Sequence, residues 1–83
     1  MKRLILFTAN DCENCNNIKQ MLDEISAAYE QVGMERNLNT CLVYGVRTAP
    51  TLLMLDEHNE EVKRLEGEVL TSSDLTIWLN KTP

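Results

Sequence analysis

Leu4, Ile5, Leu6 and Phe7 make an unbroken apolar run near the start of the chain. Contiguous apolar residues suit a strand covered on both faces, because a strand with one wet face alternates. Residues 2–8 are therefore expected to form a central strand. Asn10 and Asp11 follow as helix caps, and Ile18, Met21, Leu22, Ile25, Ala28, Tyr29 and Val32 then recur on one helical face. The spacing predicts a helix over residues 12–31, stopped by Gly33.

Beyond it the pattern weakens and recovers. Residues 34–38 carry Glu35, Arg36 and Asn37 and read as a polar second strand. Asn39 or Thr40 can cap a short helix that runs to Tyr44 and ends at Gly45. Thr48-Ala49-Pro50 breaks the chain before a strongly apolar strand over residues 51–56. Glu57-His58-Asn59 supplies a turn into an edge strand over residues 62–65, where Lys63 and Arg64 discourage edge-to-edge pairing and Gly67 closes the strand. Thr71-Ser72-Ser73-Asp74 resembles a capping box, and Leu75, Trp78 and Leu79 give the last helix its apolar face before Pro83.

The order β-α-β-α-β-β-α predicts an α/β fold: a parallel pair joined by a helix, then an antiparallel hairpin and a closing helix. Its four-stranded mixed sheet should carry helices on both faces. The 83 residues fit one domain, 1–83, with no linker, repeat or low-complexity tract. Composition is that of an ordinary globular chain, with 43% hydrophobic and 25% charged residues, so a modest core can form without a cofactor.

Charge and cysteine usage narrow the function. A net charge of -5 with eight scattered basic residues argues against a nucleic-acid or anionic-membrane surface. Met1-Lys2-Arg3 and the apolar run imitate a signal peptide, but the run stops at Thr8, short of the ~7 to 15 residues a secretory core needs. No stretch approaches the ~18 apolar residues of a membrane span. Three cysteines, odd in number and unevenly spaced, do not read as a secreted disulfide framework. The expectation is a cytoplasmic chain with free thiols.

Cys12 falls at the start of the predicted first helix, where unpaired backbone N–H groups and the helix dipole both stabilise a thiolate. Cys15 lies about one turn deeper on the same side, near enough to close a disulfide. Exposure and depth assign roles: Cys12 attacks and Cys15 resolves. Two other readings compete, a pair of inert thiols and half of a zinc site. Beyond the pair, a zinc ion would have only Cys41 and His58, which fit no recognised ligand spacing. Cys41 reads as a structural thiol beside the short second helix, and His58 belongs to a turn.

Cys12-Glu13-Asn14-Cys15, followed by Tyr44-Gly45-Val46-Arg47-Thr48-Ala49-Pro50-Thr51 and then by Gly67 and a final helix, resembles the thioredoxin superfamily over nearly the whole chain. In length the chain is similar to the glutaredoxin-sized members. The resemblance implies the thioredoxin fold, a cis peptide before Pro50, and protein-disulfide reduction with the Cys12–Cys15 disulfide as the redox group and no bound cofactor. With Pro50 cis, the Ala49 backbone would pair with an extended substrate strand; Arg47 and Gly67 are further substrate-binding candidates. A trans proline that merely opens the strand is the alternative. The resemblance also implies a monomer that takes electrons from a thioredoxin-reductase-like flavoenzyme and has protein disulfides as substrates, ribonucleotide reductase among them.

Departures from that pattern bear on mechanism. Asn10-Asp11 stands where thioredoxins place a Trp before the first cysteine. Leu6 occupies the position where many of them carry a buried Asp that assists the resolving thiol, which leaves water, Glu13 or no group for that role. Glutathione dependence, or a non-catalytic binding or metal-carrying module, are the alternative functions. For glutathione, only Arg47 and Lys19 are nearby cations, Asp11 and Glu13 would repel the tripeptide, and glutaredoxin-like paired glycines are absent.

Overall fold

The computed structural model describes residues 2–67 and 71–81. Strand β1 (Arg3–Thr8) is buried over all but its first residue. Leu4 and Leu6 enter one hydrophobic cluster while Ile5 and Phe7 enter another, which explains the unbroken apolar run: both faces are covered. Around it stand β2 (Glu30–Gly33), β3 (Thr51–Leu55) and β4 (Glu61–Glu66) in the order β2-β1-β3-β4. β2 is parallel to β1, and β3 is antiparallel to both β1 and β4.

Helices α1 (Glu13–Glu24) and α3 (Ser72–Asn80) cover the first face through Ile18, Leu22 and Leu75, packed on Leu4, Leu6, Leu52 and Met54. Helix α2 (Leu38–Tyr44) covers the second face, where Cys41 and Val46 join Ile5, Phe7, Leu53 and Leu55. The result is the expected four-stranded mixed sheet with helices on both faces. Trp78 packs against the first cluster, Met54 is buried in it, and Met21 lies at its margin.

Three boundaries differ from the pattern. Helix α1 ends at Glu24, not at residue 31, because the chain turns there into a complete C-terminal cap. Ser26 takes a left-handed φ of 56°, its N–H donates to the Asp23 carbonyl at 3.1 Å, and the Ala27 N–H reaches back to the Leu22 carbonyl at 3.0 Å. The apolar residues that continued the helical spacing belong to the return and to β2: Tyr29 packs on the first cluster and Val32 on the second.

The second strand consequently lies at Glu30–Gly33, earlier than residues 34–38, and pairs Val32 with Phe7. Met34–Arg36 is instead a single 3-10 turn. Asn37, whose Nδ2 donates to the Gly33 carbonyl at 2.8 Å, stands at the N-cap of α2 in place of Asn39 or Thr40. At α3 the expected cap is present, since the Asp74 N–H donates to Thr71 Oγ1 at 3.1 Å. Residues 68–70 and the expected terminator Pro83 lie outside the described residues.

Candidate active site

The strand register gathers the site at one edge of the sheet. Phe7 pairs with Thr51, Thr8 with Gly33, and Thr51 with Glu66. The ends of β1, β2 and β4 and the start of β3 therefore share that edge. Cys12, Pro50 and Gly67 are each within four residues of it along the chain.

Cys12 is the N-cap of α1, in extended conformation, and its Sγ accepts the backbone N–H of Cys15 at 3.1 Å. A sulfur here does the work of a capping hydroxyl, so the same N–H that caps the helix would also hold a thiolate. Asp11 reaches this cap through a left-handed φ of 56°, a conformation that Asp tolerates better than most residues. The structure holds the oxidised form, with Cys12 and Cys15 joined and their Cα atoms 5.2 Å apart. Cys12 is partly exposed, whereas Cys15 is only 2% exposed beneath it.

The Ala49–Pro50 peptide is cis, and Pro50 is fully buried. Two bonds hold this loop: Thr51 Oγ1 donates to the Thr48 carbonyl at 2.7 Å, and the Gly67 N–H donates to the Pro50 carbonyl at 2.8 Å. Gly67 therefore supports the loop from β4. It does so at a φ of 58°, a region in which a side chain would be strained. Ala49 is half-buried, and Arg47 is exposed with no ion pair among the described residues.

Leu6 is wholly buried in the first cluster, so the position that the resemblance gives to a carboxylate is apolar. Polar groups gather instead around an open cavity of about 400 Å³ that Cys15 borders, lined by Asn10, Asn16, Lys19, Gln31, Glu35 and Arg36 among others. Glu35 Oε2 accepts the Asn10 N–H at 2.7 Å, which holds its carboxyl below the ordinary range. Lys19 opens onto this cavity while Arg47 does not line it, so the two cations considered for glutathione are not brought together there. Glu13 is exposed in the first turn of α1.

Sequence reasoning missed one residue of this region. Arg64, on β4, donates to the carbonyls of Tyr44 and Gly45 at the C-terminus of α2, and pairs with Glu61 and Glu66. It thus anchors the segment that runs into Arg47 and Pro50. Nothing in the sequence pairs residues this far apart; only the long polar head on an edge strand hinted at more than edge protection. Cys41 is free and buried in the second cluster, and His58 sits in the turn after Asp56. Among the described residues, no three His, Cys, Asp or Glu side chains gather as a metal site, and no helix is long and apolar enough to cross a membrane.

A redox disulfide capping a helix at one edge of a mixed sheet, beside a buried cis-proline loop, defines a class of dithiol proteins. Comparison with known proteins agrees with that class. The family model described as Thioredoxin matches residues 1–81. Thioredoxin from Buchnera aphidicola is 31% identical over 94% of this chain and 76% of its own length. Thioredoxin from Pseudomonas aeruginosa is 29% identical over 93% and 75%. Among solved structures, a mutant thioredoxin from Halobacterium salinarum superimposes with a TM-score of 0.80 at 23% identity, over 93% of this chain and 70% of that one. A protein described as malarial gives 0.82 at 18% identity, over 99% and 97%. The chain belongs to the thioredoxin family, whose chemistry is thiol–disulfide oxidoreduction.

Proposed function

We propose that this chain reduces protein disulfides, with Cys12 as the attacking thiolate and Cys15 as the resolving thiol. The observation that carries the reading is the N-cap geometry: a partly exposed Cys12 whose sulfur accepts the Cys15 N–H at 3.1 Å, with Cys15 itself buried. The Cys12 thiolate attacks one sulfur of a client disulfide, forming a mixed disulfide and releasing the other client sulfur as a thiolate that takes a proton. Deprotonated Cys15 then attacks Cys12 Sγ, which frees the second client thiol and leaves the Cys12–Cys15 disulfide. Two electrons have passed to the client.

The Pro50 loop, with Ala49 half-buried and Arg47 exposed, is the surface on which an extended client segment would lie. A flavoenzyme like thioredoxin reductase is the proposed electron donor, the setting is the reducing cytosol, and ribonucleotide reductase is one proposed client. The test is insulin reduction driven either by NADPH with a thioredoxin reductase or by glutathione with its own reductase. Turnover with the first donor, lost in Cys12→Ser, is expected. Turnover with glutathione alone would replace this reading with a glutaredoxin-type activity, and turnover with neither would refute it.

A further inference from the structure

The outer face of α2 is largely apolar and uncovered, with Asn39 its exposed polar member. Leu38, Leu42 and Val43 are 66%, 79% and 77% exposed, while Cys41 of the same helix points into the core. Isolated exposed leucines need no explanation, but three large apolar side chains on one seven-residue helix are a patch. Leu38 and Leu42 stand one turn apart on the same face, and Val43 widens the ridge.

Topology places this ridge at the redox edge. The connection that contains α2 leaves the sheet at Gly33, beside Thr8, and returns at Thr51, beside Phe7. A helix of this length spans only about 10 Å, and the short segments 34–37 and 45–50 tether it to the edge where the connection begins and ends. Arg36 precedes it and Arg47 follows it, both exposed and without an ion pair among the described residues, in a chain of net charge -5. The ridge is therefore apolar with a cation at either end.

We propose that this face is a second contact point for the protein whose disulfide Cys12 attacks, and that this client presents apolar side chains bordered by carboxylates. The proposal rests on the reductase reading above. Area favours a client over a second copy: a patch on the order of 400 Å² falls short of the ~800 Å² that each partner of a stable dimer buries, but suits a transient redox encounter. Charge agrees, because Arg36 and Arg47 would meet their like across a self-association built on the same face.

The test compares Leu42→Glu with Val43→Glu, and the same pair changed to Gln, against the parent protein. Dithiothreitol serves as the electron source, and the substrates are insulin and the small hydroxyethyl disulfide, which is too short to reach α2 from Cys12. The expected result is a 5- to 10-fold fall in kcat/KM for insulin, carried by KM and larger for Glu than for Gln, with hydroxyethyl disulfide within 2-fold and a cooperative melt retained. Unchanged insulin kinetics would overturn the proposal, as would an equal loss on both substrates. A parent dimer in sedimentation that the variants disperse would assign the face to a second copy and overturn it too. If the Glu pair does not fold, Leu42→Gln alone is read by the same criteria. A parent protein that reduces neither substrate would sink the reductase reading itself, a result distinct from any of these.

Discussion

At the Cys12 sulfur two local influences oppose each other. The Cys15 N–H and the start of α1 favour a thiolate, while Asp11 and Glu13 on either side disfavour it. A helix terminus contributes typically ~0.3 to 1 kcal/mol, similar to one or two partly screened carboxylates. Replacing Asp11 and Glu13 by Asn and Gln removes the opposing side, favours the reduced form, and is expected to raise the Cys12–Cys15 reduction potential by about 10 to 20 mV, since ~30 mV corresponds to ~1.4 kcal/mol for two electrons. Equilibration with a glutathione redox buffer reads it, and a downward shift would contradict the charge argument. Exposure separates the thiols more sharply. In the reduced protein Cys12 should be alkylated at least tenfold faster than Cys15 or Cys41, which are 2% and 6% exposed here, and mass mapping checks the order. The cysteine pair was legible because its chemistry depends on a spacing of three at a helix start. The Asn10–Glu35 contact was not, because it joins residues 25 apart through a strand whose position the pattern misplaced.

On the scale of elements, β4 ties the two helical layers together. Lys63 and Arg64 are adjacent in sequence and pair with Met54 and Leu53, which face opposite clusters. Lys63 Nζ donates to the carbonyls of Trp78 and Lys81 at the end of α3 and lies 4.6 Å from the centre of the Trp78 ring. Arg64 does the equivalent for α2 through Tyr44 and Gly45. Both positions read in sequence as edge protection, yet each also satisfies helix C-terminal carbonyls that have no partner within the helix. Arg64→Met should cost about 1 to 2 kcal/mol in urea unfolding, and because α2 leads into the Pro50 loop it should also raise KM for insulin. An effect confined to stability would separate the anchor from the site. The strands β1 and β3 were legible because burial on both faces gives each an unbroken apolar run, Leu4 to Phe7 and Leu52 to Leu55. The junction of α1 with β2 was not: Ala28, Tyr29 and Val32 hold helical spacing by coincidence, and a left-handed Ser26 carries none of the glycine signature of a helix stop.

Across the whole molecule, the two clusters are built from the sheet and its helices, and the disulfide joins residues only three apart. Closing so short a loop constrains the unfolded chain little, about 2 kcal/mol at most in the chain-entropy account. The reduced protein should therefore melt cooperatively, with Tm lower by no more than about 15 °C, and loss of near-ultraviolet circular dichroism on reduction would argue against this. Acid acts on the surface instead. The carboxyl of Glu30 is held below the ordinary range by its hydrogen bond to Arg3, Glu35 by the Asn10 N–H, Asp56 by the Glu60 and His58 N–H groups, and Glu61 by Arg64. In each case the folded pKa lies below the unfolded one, so the native state binds its proton later. The stabilisation is then complete above the unfolded carboxylate range, near 4 to 4.5, and is lost as pH falls through the folded values. Over the same interval the chain, with 13 acidic and 8 basic side chains, passes from net negative to strongly positive and repels itself. Urea midpoints should be level between pH 7 and 6 and fall continuously from about pH 5 downward. Glu61→Gln should lower the midpoint at pH 7 and flatten that fall, since it removes a carboxylate whose ionised form pairs with Arg64. A midpoint that rises on acidification below pH 5 would show that repulsion among the acidic groups outweighs these partners.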